Sequence, residues 1–342
     1  MKLGYHIGYW SAGPPDNVLG AILEAERLGF DSVWTAEAYG SDAFTPLAWW
    51  GASTSQVKLG TNVVQMSARA PVATAMTALT LDHLSGGRFI LGLGASGPQV
   101  VEGWYGQPYP RPLERTREYV EIIRKVLART APVTYEGRHY QLPYQGGANL
   151  GKPLKSIVHP LREDIPIYLG AEGPKNVALA AEIGDGWFPA FFSPKMDAYY
   201  RERLAEGFAR PGARRDQGTF EVAASVPLII DDDVDRAADH IRPLLALYMG
   251  GMGAKQANFH HDVFVRMGYE SVADKVQELY LAGRKDEAVA SIPTALVEDV
   301  ALIGPAAKVK AELVRWEQTC ATLLLQQGDA TRLRAAAEVV LG

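Results

Sequence analysis

The residues with the clearest chemical potential in this chain are glycines. In Arg88–Gly106, RFILGLGASGPQVVEGWYG, strand-spaced apolar residues run into Gly92-x-Gly94-x-x-Gly97 and then into a helix opened by Pro98. A strand, a glycine turn and a helix N-terminus leave backbone N–H groups unpaired, and such groups suit an anion such as a phosphate. The spacing matches the dinucleotide-binding fingerprint. That fingerprint follows the first strand of its domain, however, whereas three strand–helix units precede it here. Nor does an acidic residue stand at a strand end about 20 positions on to hold a ribose, since Glu114 lies inside a helical run. The glycines therefore read as a loop of another parallel α/β fold. A second glycine-rich helix entry follows at Gly170-Ala171-Glu172-Gly173-Pro174.

Acid–base and nucleophilic equipment is sparse by comparison. Glu37 and Glu172 are carboxylates near expected strand ends, and glycoside hydrolysis would need two at a set separation. No lysine is placed for a Schiff base, and no Gly-x-Ser-x-Gly elbow occurs. The seven histidines never stand at ligand spacing beside acids on one element, so no metal is expected. Cys320 is the single cysteine, which rules out an internal disulfide and a thiolate cluster. Two phosphate-suited helix entries with little acid–base machinery is how a site looks when a cofactor brings the reactivity.

The elements that must hold these residues recur regularly. Strands are expected at Leu3–Gly8, Ser32–Ala36, Val57–Gln65, Phe89–Leu93, Ile165–Leu169, Gly186–Pro189, Phe220–Ile230 and Ala321–Gln326, mostly followed by amphipathic helical patterns. Eight strands in βα order predict a (β/α)8 TIM barrel with insertions, a size that such barrels reach as one domain. We read residues 1–342 as that single domain, with an excursion at about 130–164 and a helical insertion at about 250–291. Six prolines, Pro46, Pro71, Pro98, Pro174, Pro194 and Pro305, stand where the pattern wants a first helical turn, which tolerates proline because that N–H has no intrahelical partner. The loops before them should share the carboxyl face of the strands, where barrel active sites lie. That face gathers Glu37, 62–69, 94–97, 170–173 and 188–193.

Composition limits the remaining choices. The 342 residues are 47 % hydrophobic and 21 % charged with a net charge of −5. A basic face for nucleic acid or a membrane surface is therefore not expected. The opening MKLGYHIGYW is too short and interrupted for a signal peptide, and the expected location is the cytoplasm.

Five segments carry a family resemblance: 25–34 (AERLGFDSVW), 58–64 (KLGTNVV), 80–88 (TLDHLSGGR), 92–94 (GLG) and 180–187 (AAEIGDGW). Together they resemble the bacterial luciferase-like monooxygenase superfamily. Within it, residues 94–104 and 170–174 are similar to the coenzyme F420 (deazaflavin)-dependent oxidoreductases of actinobacteria. The resemblance implies hydride transfer between F420 and a small organic substrate in a homodimer joined through the second and third helices. It implies a non-proline cis peptide at Asn62-Val63 behind the deazaflavin ring, flanked by Thr61 and Gln65. It adds cofactor contacts from Glu37, Gly94, Ser96 and Gly97, and phosphate binding by Gly170, Ala171, Gly173, Pro174 and Lys175, with the N–H groups of Lys175 and Asn176 available. Glu37 is the candidate catalytic residue. Ala38 stands where related sugar-phosphate dehydrogenases carry a histidine, and Gly97 where they carry a second acid, so that activity is not assigned. Trp10, Trp104, Tyr105 and the region Phe259–Tyr269 are the expected substrate contacts. Two alternatives stay open: a monooxygenase using reduced FMN, and a deazaflavin carrier without turnover.

Overall fold

Short apolar runs bounded by glycine and proline favour strands buried on both faces, and parallel strands meet that condition only when helices cover them. The computed structural model describes residues 1–162, 164–253, 258–326 and 328–342. Residue 163 of the expected excursion and residues 254–257 of the expected insertion lie outside the described residues. Eight parallel strands close on themselves: β1 (Lys2–His6), β2 (Ser32–Thr35), β3 (Lys58–Thr61), β4 (Phe89–Gly94), β5 (Ile167–Gly170), β6 (Gly186–Phe188), β7 (Glu221–Val226) and β8 (Thr322–Gln326). Closure is made by β8 against β1, where Lys2 stands opposite Thr322, and by β3 against β4, where Leu59 stands opposite Phe89.

The barrel interior is filled by large side chains where glycine makes room for them. Trp34 and Phe188 meet edge to face at 5.3 Å, and Trp34 stacks on Tyr168 at 6.2 Å. A Cβ on Gly60 would lie 2.1 Å from the Trp34 ring. The Trp34 indole N–H donates to Ser32 Oγ at 2.8 Å, which satisfies the one polar atom that this burial would otherwise strand. A second apolar layer, including Leu3, Ile22, Leu79, Tyr119 and Leu323, joins the strands to the surrounding helices.

At the amino end of the strands Asp185 is almost fully buried. Its carboxylate accepts from the Ile167 N–H at 2.8 Å, from Arg214 Nε at 2.7 Å, from Arg215 Nε at 2.8 Å and from Arg124. Burial alone would push its pKa up; the Arg124 charge, the Ile167 N–H and Arg214 together outweigh it and hold the pKa below the usual aspartate value.

Several expected boundaries change, each for a local reason. The long seventh strand breaks at Pro227, which has no N–H to give a ladder. Its continuation, Leu228–Ile230, pairs in parallel with Leu302–Gly304, a segment too short to read as a strand. Pro46 is the third residue of the helix Phe44–Gly51 rather than its first, because Asp42 Oδ1 caps that helix by accepting from the Phe44 and Thr45 N–H groups. Pro305 stands just outside Ala306–Glu317. In the excursion, Tyr135–Glu136 and Gln141–Leu142 form a small antiparallel hairpin, tied down by Glu118, which accepts from the N–H groups of Arg138, His139 and Tyr140.

Helices Phe259–Arg266, Glu270–Leu281 and Lys285–Ala290 form a lobe whose own apolar cluster runs from Ala237 to Ile303. That is wider than 250–291, because Val234–Asp239, Arg242–Ala246 and Thr294–Val300 contribute to the same cluster. No helix among the described residues is long and apolar enough to cross a membrane.

Candidate functional site

The carboxyl ends of the strands and the lobe enclose a cavity of about 610 Å³, a size typical of small-molecule and cofactor sites. Its floor is set by an irregularity in β3. Gly60 stands opposite Ile90 and Val64 opposite Leu93, so residues 61–63 face only 91–92. This is a β-bulge, one extra residue that re-aims the chain. Within it the Asn62-Val63 peptide is cis. Thr61 repairs the ladder at that point: its fully buried hydroxyl donates to Gly92 O at 2.9 Å and accepts from the Gly92 N–H at 2.8 Å.

The glycine fingerprint is explained by this bulge and by the lobe. A Cβ on Gly92 would lie 1.8 Å from Thr61 O, and one on Gly94 would lie 2.5 Å from the Val63 side chain. At Gly97 it would lie 3.3 Å from the Phe259 ring. All three positions lack a side chain because something packs against the backbone there, so the spacing owes nothing to a dinucleotide. Ser96 between them takes a positive φ of 61°.

Glu37 and His6 hold the bulge from two sides. The Glu37 Oε2 accepts from the Gln65 N–H at 2.9 Å and from Arg69 Nη1 at 2.8 Å, and its own N–H donates to Val63 O at 3.2 Å. His6 is buried, and its Nδ1 accepts from the Gly8 N–H at 3.0 Å. That nitrogen carries no proton, so in the neutral ring Nε2–H donates to Asn62 O at 3.2 Å. Burial lowers the His6 pKa, which keeps the neutral donor form in place.

Of the expected cofactor contacts, Glu37, Asn62, Val63, Gln65, Gly94, Ser96, Gly170, Ala171, Gly173, Pro174 and Lys175 line this one cavity. Thr61 and Gly97 do not; they support residues that do. The helix Pro174–Ile183 opens toward the cavity with proline at its first position. The Asn176 N–H is not free, since it donates to Gly173 O at 2.9 Å; the Lys175 N–H has no partner among the described residues. The expected substrate contacts fare differently. Trp10 packs on Trp50 with ring centres 6.0 Å apart, Trp104 is 64 % exposed, and the Tyr105 hydroxyl donates to Ala38 O at 3.2 Å. None of the three lines the cavity.

The walls opposite the bulge come instead from Tyr9, Tyr39, Phe191, Tyr248, Phe259 and His260. Desolvation raises the pKa of both the Tyr9 and Tyr248 phenols. Tyr9 keeps 46 % of its surface open and lines the cavity. Only the aromatic content of 259–269 marked part of this wall in the sequence.

Three buried polar atoms around the cavity have no aligned hydrogen-bond partner: Gln65 Oε1, Glu172 Oε2 and His260 Nδ1. Native structures rarely leave such atoms unpaired. With the apolar walls and the open helix N-terminus, Gln65 Oε1 fits a flat, polar-edged ring carrying a phosphate.

Comparison with known proteins agrees with this architecture. The luciferase-like monooxygenase family profile matches residues 3–323. A Mycobacterium tuberculosis protein, the proposed coenzyme F420-dependent oxidoreductase Rv3520c, is 58 % identical over 99 % of both chains. The 5,10-methylenetetrahydromethanopterin reductase of Archaeoglobus fulgidus is 35 % identical over 66 % of this chain and 64 % of its own. Among solved structures, the coenzyme F420 dependent tetrahydromethanopterin reductase from Methanopyrus kandleri superposes with a TM-score of 0.81 at 23 % identity, covering 99 % of this chain and 98 % of that one. The chain belongs to the luciferase-like monooxygenase family.

Proposed function

We propose that this protein is a coenzyme F420-dependent oxidoreductase that moves a hydride between the deazaflavin and a small organic substrate. The observation that carries the reading is the bulge at Asn62-Val63, with Gly94 and Gly170 packed around Val63, facing the helix entry Gly173–Lys175 across one cavity. The F420-dependent naming of the 58 % identical relative supports it. When bound, F420 supplies the hydride-accepting or hydride-donating ring carbon.

The protein's part is placement. Val63 would back the ring, and the Gln65 side chain would offer its unpartnered acceptor to the ring's polar edge. The Lys175 N–H and the helix N-terminus would hold the phosphate. Glu37 anchors the bulge through Gln65 and Arg69, so in this reading it acts on the cofactor's seat rather than on the substrate. We further read the protein as a cytoplasmic homodimer, with Trp49, 77 % exposed on the second helix, as its contact; size-exclusion chromatography with light scattering tests the dimer.

A fluorescence titration with F420 and with FMN tests the cofactor. Saturable binding of F420 with FMN binding at least tenfold weaker is expected. Tight FMN binding with no F420 binding would favour the monooxygenase alternative and overturn this reading.

A further inference from the structure

A hydride transfer to or from a carbonyl group leaves an alkoxide proton to be managed, whereas transfer to an iminium carbon does not. Whether the cavity holds a group for that proton therefore bears on the substrate class. Most ionisable groups on its wall are engaged. Both ring nitrogens of His6 are bonded to backbone. The Glu37 carboxylate holds Gln65 and Arg69. Desolvation keeps the phenols of Tyr9, Tyr109 and Tyr248 protonated.

His260 is different. It stands in the first turn of Phe259–Arg266, set by Asn258, whose side chain accepts from the His260 and His261 N–H groups. Its ring meets Tyr248 edge to face at 4.8 Å and Phe191 at 6.1 Å. The His260 Nδ1 lies 2.8 Å from Glu172 Oε1, with both side chains largely buried. The contact is close but off the N–H direction, which leaves Nδ1 without an aligned bond. Its Nε2 has no partner among the described residues, and His260 lines the cavity. Glu172 is itself steadied by Arg266, whose Nη2 donates to the Glu172 carbonyl at 3.0 Å.

We propose that His260 is the general acid–base of this enzyme, that Glu172 is its positioning residue, and that the substrate is an uncharged secondary alcohol or ketone. This rests on the F420 reading above. In oxidation, His260 Nε2 takes the hydroxyl proton as the carbinol C–H hydride leaves for bound F420. The C–O bond becomes C=O, the substrate loses two electrons and F420 gains them, and the proton on His260 exchanges with solvent. Reduction is the reverse. An uncharged substrate follows from the walls beside the dyad: Tyr9, Phe191, Leu245, Tyr248, Met252 and Phe259 carry no charge, and Lys175 belongs to the phosphate end. The position is also consistent with Gly97, where the lobe's Phe259 fills the space that a side chain would need.

The test uses the full chain with F420 and cyclohexanol as probe substrate. His260→Ala should slow single-turnover hydride transfer by about 10²–10⁴-fold, with the F420 dissociation constant within twofold of wild type by fluorescence titration. Added imidazole should restore at least tenfold of the lost rate. Glu172→Gln should lower the single-turnover rate with little change in the cyclohexanol KM. Independently of turnover, the His260 Nε2 resonance in ¹⁵N-histidine-labelled protein, identified by its loss in His260→Ala, should move on adding cyclohexanol. A His260→Ala rate within threefold of wild type, a loss that imidazole does not rescue, an unmoved resonance, or wild-type protein that binds F420 but leaves cyclohexanol unoxidised overturns this proposal and leaves the cofactor reading standing. Failure of wild-type protein to bind F420 overturns both.

Discussion

Thr61→Val is the sharpest test of how the bulge is built. Valine nearly matches threonine in shape, so the change removes one hydroxyl from a fully buried site and little else. That hydroxyl serves both polar atoms of Gly92, accepting from its N–H at 2.8 Å and donating to its carbonyl at 2.9 Å. A steric rescue is closed as well, since β4 already approaches so tightly that a Cβ on Gly92 would sit 1.8 Å from Thr61 O. Leaving a buried donor or acceptor unsatisfied costs about 1–3 kcal/mol each, so the two together cost about 2–6 kcal/mol. For chains of 150–250 residues each kcal/mol moves Tm by about 2–4 °C; at the low end of that range the fall is roughly 4–12 °C. Thr61→Ser keeps the hydroxyl and loses one methyl, a loss of about 1 kcal/mol. Differential scanning calorimetry of both variants, with F420 titrations alongside, reads the result. Thr61→Val should be clearly less stable than Thr61→Ser and bind F420 more weakly. Equal melting temperatures for the two variants would refute the claim that the hydroxyl completes the ladder.

Three further outcomes follow from the same structure. The folded-state His6 pKa lies below its ordinary value of 6.5, so the unfolded chain binds the extra proton; stability should fall as pH drops below about 6.5, by up to about 1.4 kcal/mol per pH unit. Denaturant melts from pH 7.5 to 5.5 should show that slope reduced in His6→Gln, and an identical slope in the variant would remove His6 from the account. Asp185→Asn strands three arginines around a buried amide and should cost about 3–5 kcal/mol by urea unfolding, with F420 affinity largely kept because the site lies at the other end of the barrel; a loss under 1 kcal/mol would contradict it. Glu37→Gln should weaken F420 binding through the loosened bulge and keep single-turnover rates at saturating cofactor within about tenfold; a loss of 10²-fold or more at saturation would restore Glu37 as the acid–base group.

The strands and helices were legible because their signals are local. Apolar runs such as 89–93 and 322–325, and helical repeats such as 18–27, carry their periodicity in neighbouring residues, and proline marks first turns at Pro71, Pro98 and Pro174. Where a boundary moved, a side chain not weighed in the pattern had intervened: Asp42 capping one helix early, Pro227 cutting one strand. Most of the residues expected at the cofactor do line one cavity, and they were legible together because Asn62-Val63 and Gly170–Lys175 each lie within one segment.

Three of the residues expected at the substrate do not line that cavity. Trp10, Trp104 and Tyr105 have the right residue types, but solvent, Trp50 and the Ala38 carbonyl take them. The glycine spacing is a further case, since its cause lies in contacts with Thr61, Val63 and Phe259 from three other places in the chain. His260 and Glu172 come from distant parts of the sequence and meet only because the lobe folds back over the fifth strand's loop. Periodicity and turn chemistry act over a few residues and so are written along the chain; closure of the barrel, the bulge register and the pairing across the cavity depend on distances between segments, which only the packed structure decides.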